Sequence, residues 1–141
     1  MSSAIDELHG RGVLQAAISN AIVRLVHDYT GRGPTKARTT VSGDLVVCVL
    51  ADALTKGERS LVADGRSDAV LGMRKAFQDT MRESIVGEVE RLTGRTAVAF
   101  MSGNHIDPDY AAEIIILEPD PSELDGSGDP HRAGPGNGLP S

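Results

Sequence analysis

Arg74 is the residue whose position most demands chemistry. Counting about 100° per residue along a helix from Val70, the side chains Met73, Phe77, Met81, Ile85 and Leu92 fall within roughly 60° on either side of one line. Arg74 falls at about 40°, inside that apolar sector. A guanidinium there needs a carboxylate, a set of carbonyl oxygens or a bound anion, because an unpaired buried charge is very costly. Arg82, at about 120°, borders the same face, and Gln78 lies between the two arginines. Two readings stand: a structural ion pair with an acidic residue of the sheet or of a partner subunit, or an anion pocket.

Two other places hold more polar groups than folding requires. Gly31-Arg32-Gly33-Pro34, with Lys36 and Arg38 beyond, offers backbone amides and a guanidinium to an anion. It matches neither the Walker pattern nor the dinucleotide fingerprint, and the plainer reading is a helix stop followed by a solvated strand. His105, Asp107 and Asp109 could act as general acid and base or as metal ligands. Asp-Pro-Asp is also turn chemistry, in which a short carboxylate accepts local amides. With one cysteine and no second group of ligands at metal spacing, neither a disulfide framework nor a tetrahedral zinc site is expected. Ser42 and Ser102 lack a nucleophile-elbow context. Cys48, in an apolar strand, reads as a small buried hydrophobe, His9 and His27 as surface residues of the first helix, and His131 as part of the tail.

Composition narrows the classes. The chain has 141 residues, enough for one domain of ordinary size. At 40% apolar it can build a core, but two Phe, two Tyr and no Trp make that core aliphatic and leave little with which to stack bases. Fourteen basic against twenty acidic residues, net −6, argue against the broad positive field that nucleic acids or anionic membranes require. Nucleic-acid binding through Arg32, Lys36 and Arg38 would need a dimer that merges them into one surface. No stretch of 18 apolar residues is present and the start has no signal-peptide pattern, so a soluble, cytoplasmic protein is expected.

These groups must be positioned by elements whose order is legible. Residues 119–141 carry five of the seven prolines, five of the sixteen glycines, four acids and one base, and are expected to be a disordered acidic tail. Residues 1–118 form the single domain. Val13, Ala17, Ala21, Leu25 and Tyr29, joined by Ile18 and Ile22, mark the buried stripe of a first helix. Residues 36–42 alternate as a half-exposed strand, Gly43-Asp44 turns the chain, and the run from Leu45 to Leu50 is apolar on both faces, as in a strand covered on each side. Thr55-Lys56-Gly57-Glu58 has capping-box spacing and predicts a short helix to about Asp64-Gly65. Ser67 or Asp68 can cap a longer helix holding Val70, Met73, Phe77, Met81, Ile85, Val89 and Leu92 on one face and ending at Thr93-Gly94. At roughly 25 residues and about 38 Å it exceeds the width of a small sheet and is a candidate to pack on a second subunit. Residues 95–101 and 111–118 read as two further strands, the last again apolar on both faces, joined by a polar loop over 102–109. The expected fold is α+β: helix, β-hairpin, two helices, β-hairpin, with a four-stranded, mostly antiparallel sheet packed by helices, in a dimer.

Taken in order, Gly31-Arg32-Gly33-Pro34, the run Leu54-Thr55-Lys56-Gly57-Glu58-Arg59-Ser60-Leu61, Arg74 and Arg82 ahead of Val89-Glu90-Arg91-Leu92-Thr93-Gly94-Arg95, Asn104-His105-Ile106-Asp107-Pro108-Asp109 and Ile116-Leu117-Glu118 resemble the MpsC-like family over residues 5–119. That family is named for the C component of the Na+-translocating membrane-potential-generating system. The resemblance implies a small bacterial accessory or regulatory protein beside membrane components of cation or bicarbonate transport. It supplies no catalytic residue and no cofactor. The expected function is a non-enzymatic, homodimeric module that binds a partner protein or a small anion, with Arg32, Arg74, Arg82, His105 and Asp107 as ligand-binding residues. The competing expectation is a small enzyme for a phosphorylated or carboxylated substrate, with His105 as acid or base and the arginines as clamp.

Overall fold

A computed structural model describes residues 2–32 and 36–119, with side chains from Glu7 onward. Gly33-Pro34 and the tail beyond Pro119 lie outside the described residues. The elements follow the expected order: α1 (Ser2–Thr30), β1 (Lys36–Ser42), β2 (Leu45–Ala51), α2 (Lys56–Ala63), α3 (Ser67–Thr93), β3 (Ala97–His105) and β4 (Tyr110–Leu117). The fold is α+β, and every pairing in the β1-β2-β4-β3 sheet is antiparallel.

Local chemistry explains the boundaries. Gly43 turns the first hairpin at a φ of 61°, a conformation glycine adopts without cost. Thr55 caps α2: its hydroxyl accepts the Glu58 amide at 3.1 Å while Glu58 accepts the Thr55 amide at 2.8 Å, the reciprocal box that the spacing predicts. Gly94 ends α3 in the left-handed region at 70°. At the other end of α3 the expectation fails. Arg66 is the N-cap and makes no side-chain cap bond, because the chain enters α3 directly from the Asp64-Gly65 turn.

α1 and α3 lie side by side on one face of the sheet, α1 toward β1 and α3 toward β3, with α2 packed on α3. Ile18, Ile22 and Val26 of α1 and Met81, Ile85 and Val89 of α3 close on Val46, Cys48 and Leu50 of β2 and Ala111, Ile115 and Leu117 of β4. The buried stripe of α1 runs through Leu14, Ile18, Ile22 and Val26; Val13 and Tyr29 sit off it and are exposed, as is Met73 on α3. Four strands at about 4.8 Å span roughly 19 Å, room for two helices about 10 Å apart.

Two expectations about the strands are corrected. β3 runs on to His105, so the expected loop over 102–109 shrinks to the turn Ile106-Asp107-Pro108-Asp109, whose Asp107-Pro108 peptide is cis. Ser102 and Asn104 look like loop residues in the sequence, yet they pair with Glu113 and Ala111 and point into the helix layer. β2 and β4 are not covered on both sides. Their helix-facing residues are buried, whereas Leu45, Val47 and Val49 of β2 and Ala112, Ile114 and Ile116 of β4 form a second face outside the core, with Met101 of β3 beside them, 48% exposed. Nor is β4 apolar throughout, since Glu113 stands on its helix side.

Candidate functional site

Strand register builds the most unusual feature of the interior. Thr39 pairs with Cys48, Cys48 with Glu113, and Glu113 with Ser102, so one polar row crosses all four strands beneath the helices. Ser19 of α1 meets Thr39 at 2.8 Å between hydroxyls. Glu113 is 1% exposed, and its carboxylate accepts from the Ser102 hydroxyl and, at 3.1 Å, from the Gln78 amide. Gln78 and Asn104 exchange bonds, with Asn104 Nδ2 donating to Gln78 Oε1 at 2.8 Å. Asn104 Oδ1 also accepts from Arg74 Nε at 3.2 Å.

Something negative does meet Arg74. Its guanidinium lies 3.5 Å from Glu58, with the two side chains only 12% and 5% exposed. The acid comes from α2, neither from the sheet nor from another subunit, and it is the same residue that closes the capping box. Glu58, Arg74, Gln78 and Glu113 line a cavity of about 40 Å³ with Thr30 and Met81. That volume is on the scale of a few waters. Burial pushes the Glu113 carboxyl above the usual carboxylate range, and the bonds from Ser102 and Gln78 and the charge of Arg74 pull it partly back. Burial likewise pushes the Cys48 thiol up, opposed by a hydrogen bond with Thr39 and reinforced by Glu113. A buried, protonated thiol is a poor nucleophile. Cys48 should therefore resist a maleimide in native protein and react after unfolding in urea; equal labelling rates in the two states would contradict its burial.

The five residues expected to bind ligand are not gathered in one place. Arg74 lies in the cavity just described, whose lining includes none of the other four. Arg32 donates to the Asp52 carbonyl at 2.6 Å, and its guanidinium also approaches the Asp52 carboxylate, which receives Arg59 as well. Asp52 holds a left-handed φ of 59°, and its amide bonds the Asp109 carbonyl at 3.1 Å. Asp109 accepts the Leu54 amide at 2.8 Å, tying the last hairpin to the entry of α2. Arg82 lies over the Phe100 ring, 5.3 Å from its centre, beside β3. His105 and Asp107 are exposed, the imidazole Nδ1 lying 2.7 Å from the Pro108 carbonyl. The shallow hollow at His105 is bounded by Val49, Asn104, Tyr110 and Ala112 and contains no arginine, so the clamp that an acid–base enzyme would need is not beside it. Among the described residues no His, Cys, Asp and Glu side chains group as a metal site, and no helix is long and apolar enough to cross a membrane.

The sequence places Gln78 between the two arginines, but Glu113 and the polar row were not anticipated. The signal was present: a carboxylate at the centre of Ala111-Ala112-Glu113-Ile114-Ile115 is as anomalous as an arginine on an apolar helix face.

The bare face of the sheet has its own polarity. Val47, Val49, Ile114, Ile116 and Met101 occupy its middle, and the register row Lys36, Ala51, Tyr110, His105 closes one end, with Arg38 adjoining. Among the described residues no acidic side chain occupies a paired strand position on this face, in a chain of net charge −6.

A family model described as Na+-translocating membrane potential-generating system (MpsC) matches residues 10–119, which is 110 of the 141 residues. No curated protein and no solved structure matches the chain.

Proposed function

The chain belongs to the MpsC family, and on that premise we propose that it is a cytoplasmic, non-enzymatic accessory module that works by protein contact within a membrane-potential-generating system. Residues 1–118 are its working domain and residues 119–141 an acidic tail. It acts as a homodimer, and each copy presents the bare face of its sheet to a partner component. That face is the observation that supports the reading: aliphatic side chains left only half-buried in the middle of a sheet forgo part of the favourable transfer from water unless something covers them. The occupant is a protein surface that is aliphatic at its centre and acidic at the edge meeting Lys36, Arg38 and His105. A small anion is the less supported ligand, because Arg74 is already neutralised by Glu58 and Arg32 is engaged with Asp52.

Ile114→Ser tests this by placing a hydroxyl at the centre of the face without touching the core on the other side. In cells lacking the gene, wild-type protein should restore the membrane potential read with a potential-sensitive dye. Folded Ile114→Ser protein at equal abundance should leave it at the level of the deletion. Full restoration by the variant would overturn the use of this face, and an unchanged potential in the deletion strain would overturn the link to the system.

A further inference from the structure

The two edges of the sheet are treated differently. β1 carries Lys36 and Arg38, is packed by α1, and has the Val41 amide bonded to Gln15 at 2.9 Å. These are devices that blunt an edge. β3, the other edge, has no charged residue from Ala97 to Asn104 and no proline. Glu90 accepts the Ala97 amide at 2.9 Å, and beyond that no side chain of the described residues bonds the β3 backbone. A bulge sits at Val98, but from Ala99 to His105 the strand is regular. Such an edge is a template for strand pairing.

We propose that β3 pairs antiparallel with β3 of a second copy, joining two sheets into one of eight strands and laying the two α3 helices side by side. This rests on the dimer reading above and names its contact. Three observations select a second copy as occupant. The first is positional: α3 packs against β3, on the open side of the helix layer, so extending the sheet across β3 brings a second α3 alongside the first. The second is the hollow on either side of the Arg82–Phe100 stack, about 280 Å³ toward Val86 and Val98 and about 340 Å³ toward Leu71 and Ser102. These lie where side chains of a neighbouring α3 would enter.

The third is charge. Among the residues of α3 that border these hollows are Lys75, Asp79, Arg82, Glu83, Val86 and Glu90. A twofold axis between Arg82 and Glu83 reverses that series onto itself. Arg82 then meets Glu83 of the other copy, Lys75 meets Glu90, and Asp79 meets Val86, so no like charges oppose one another. The axis also falls where it must for the strands, since Arg82 lies against Phe100, near the middle of β3. Because an axis of this kind stands perpendicular to the sheet, both bare faces end on the same side, opposite all the helices.

The test is charge exchange in the full-length protein, read as dimer dissociation by light scattering or analytical ultracentrifugation. Arg82→Glu alone sets Glu against Glu across the axis, and Glu83→Arg alone sets Arg against Arg. Each should weaken the dimer by about tenfold or more, and the double variant should recover to within a few-fold of wild type. A wild-type dimer that neither single variant weakens, or a double variant that fails to recover, overturns this contact while leaving the dimer in place. A wild-type protein that stays monomeric at high concentration overturns the dimer itself.

Discussion

Glu58→Ala should lower the stability of the domain by about 3–5 kcal/mol, seen as a large fall in the urea midpoint with little change in slope. Two losses combine. Arg74 is left almost fully buried, its guanidinium keeping the Asn104 bond at 3.2 Å and the more distant charge of Glu113 but no ion-pair partner in contact. The Thr55 amide also loses its acceptor, undoing half of the box that starts α2. A cap is worth about 0.5–2 kcal/mol, so Thr55→Ala isolates that part, and the excess belongs to the orphaned charge. Replacing both partners, as Glu58→Ala with Arg74→Met, should recover much of the loss, since an ion pair exchanged for apolar groups is often neutral. If Glu58→Ala costs no more than Thr55→Ala, the guanidinium is not held by this carboxylate and its near-burial has another explanation.

The same pair marks how far the sequence could be read. The helical phase of Arg74 was legible because 100° per residue is a local rule, and the capping box was legible because it spans four residues. That both features share one carboxylate was not legible, for the contact between Glu58 and Arg74 exists only once α2 folds back over α3. Element order and the antiparallel hairpins followed from turn residues and periodicity. Which faces are covered did not: a run apolar on both sides says that two surfaces need cover, and the helices of one chain cover only one of them. The polar row is the extreme case. Thr39, Cys48, Ser102 and Glu113 lie in four separate strands and become neighbours only through register, which the turns at Gly43 and over residues 106–109 set far from the residues concerned. Ser102 and Asn104 misled for a related reason, since small polar residues resemble a loop unless the helix above is known to supply their partners.

Glu113→Gln should remove a pH dependence rather than a fixed increment of stability. Burial raises the folded-state pKa of Glu113, so between the unfolded value of about 4.3 and that raised value the native protein holds more of the proton than the unfolded chain does. Stability from this group is therefore complete below the unfolded value and is lost as pH climbs through the folded one, with a slope of at most about 1.4 kcal/mol per pH unit. Glutamine keeps an acceptor for Ser102 or Gln78 and carries no charge at any pH. Measured by urea unfolding, the stability of Glu113→Gln minus that of wild type should increase as pH rises above the unfolded value and level off once pH passes the raised folded-state value. Carboxylates elsewhere cancel in the difference, including Glu88, whose pKa is lowered by Arg91 and which alone would act in the opposite sense. A difference that stays flat would mean that the carboxyl is hydrated as it is in the unfolded chain. One that falls with pH would mean that Arg74 and the two donors hold Glu113 ionised more strongly than burial opposes it, making the row a charge-stabilised structure.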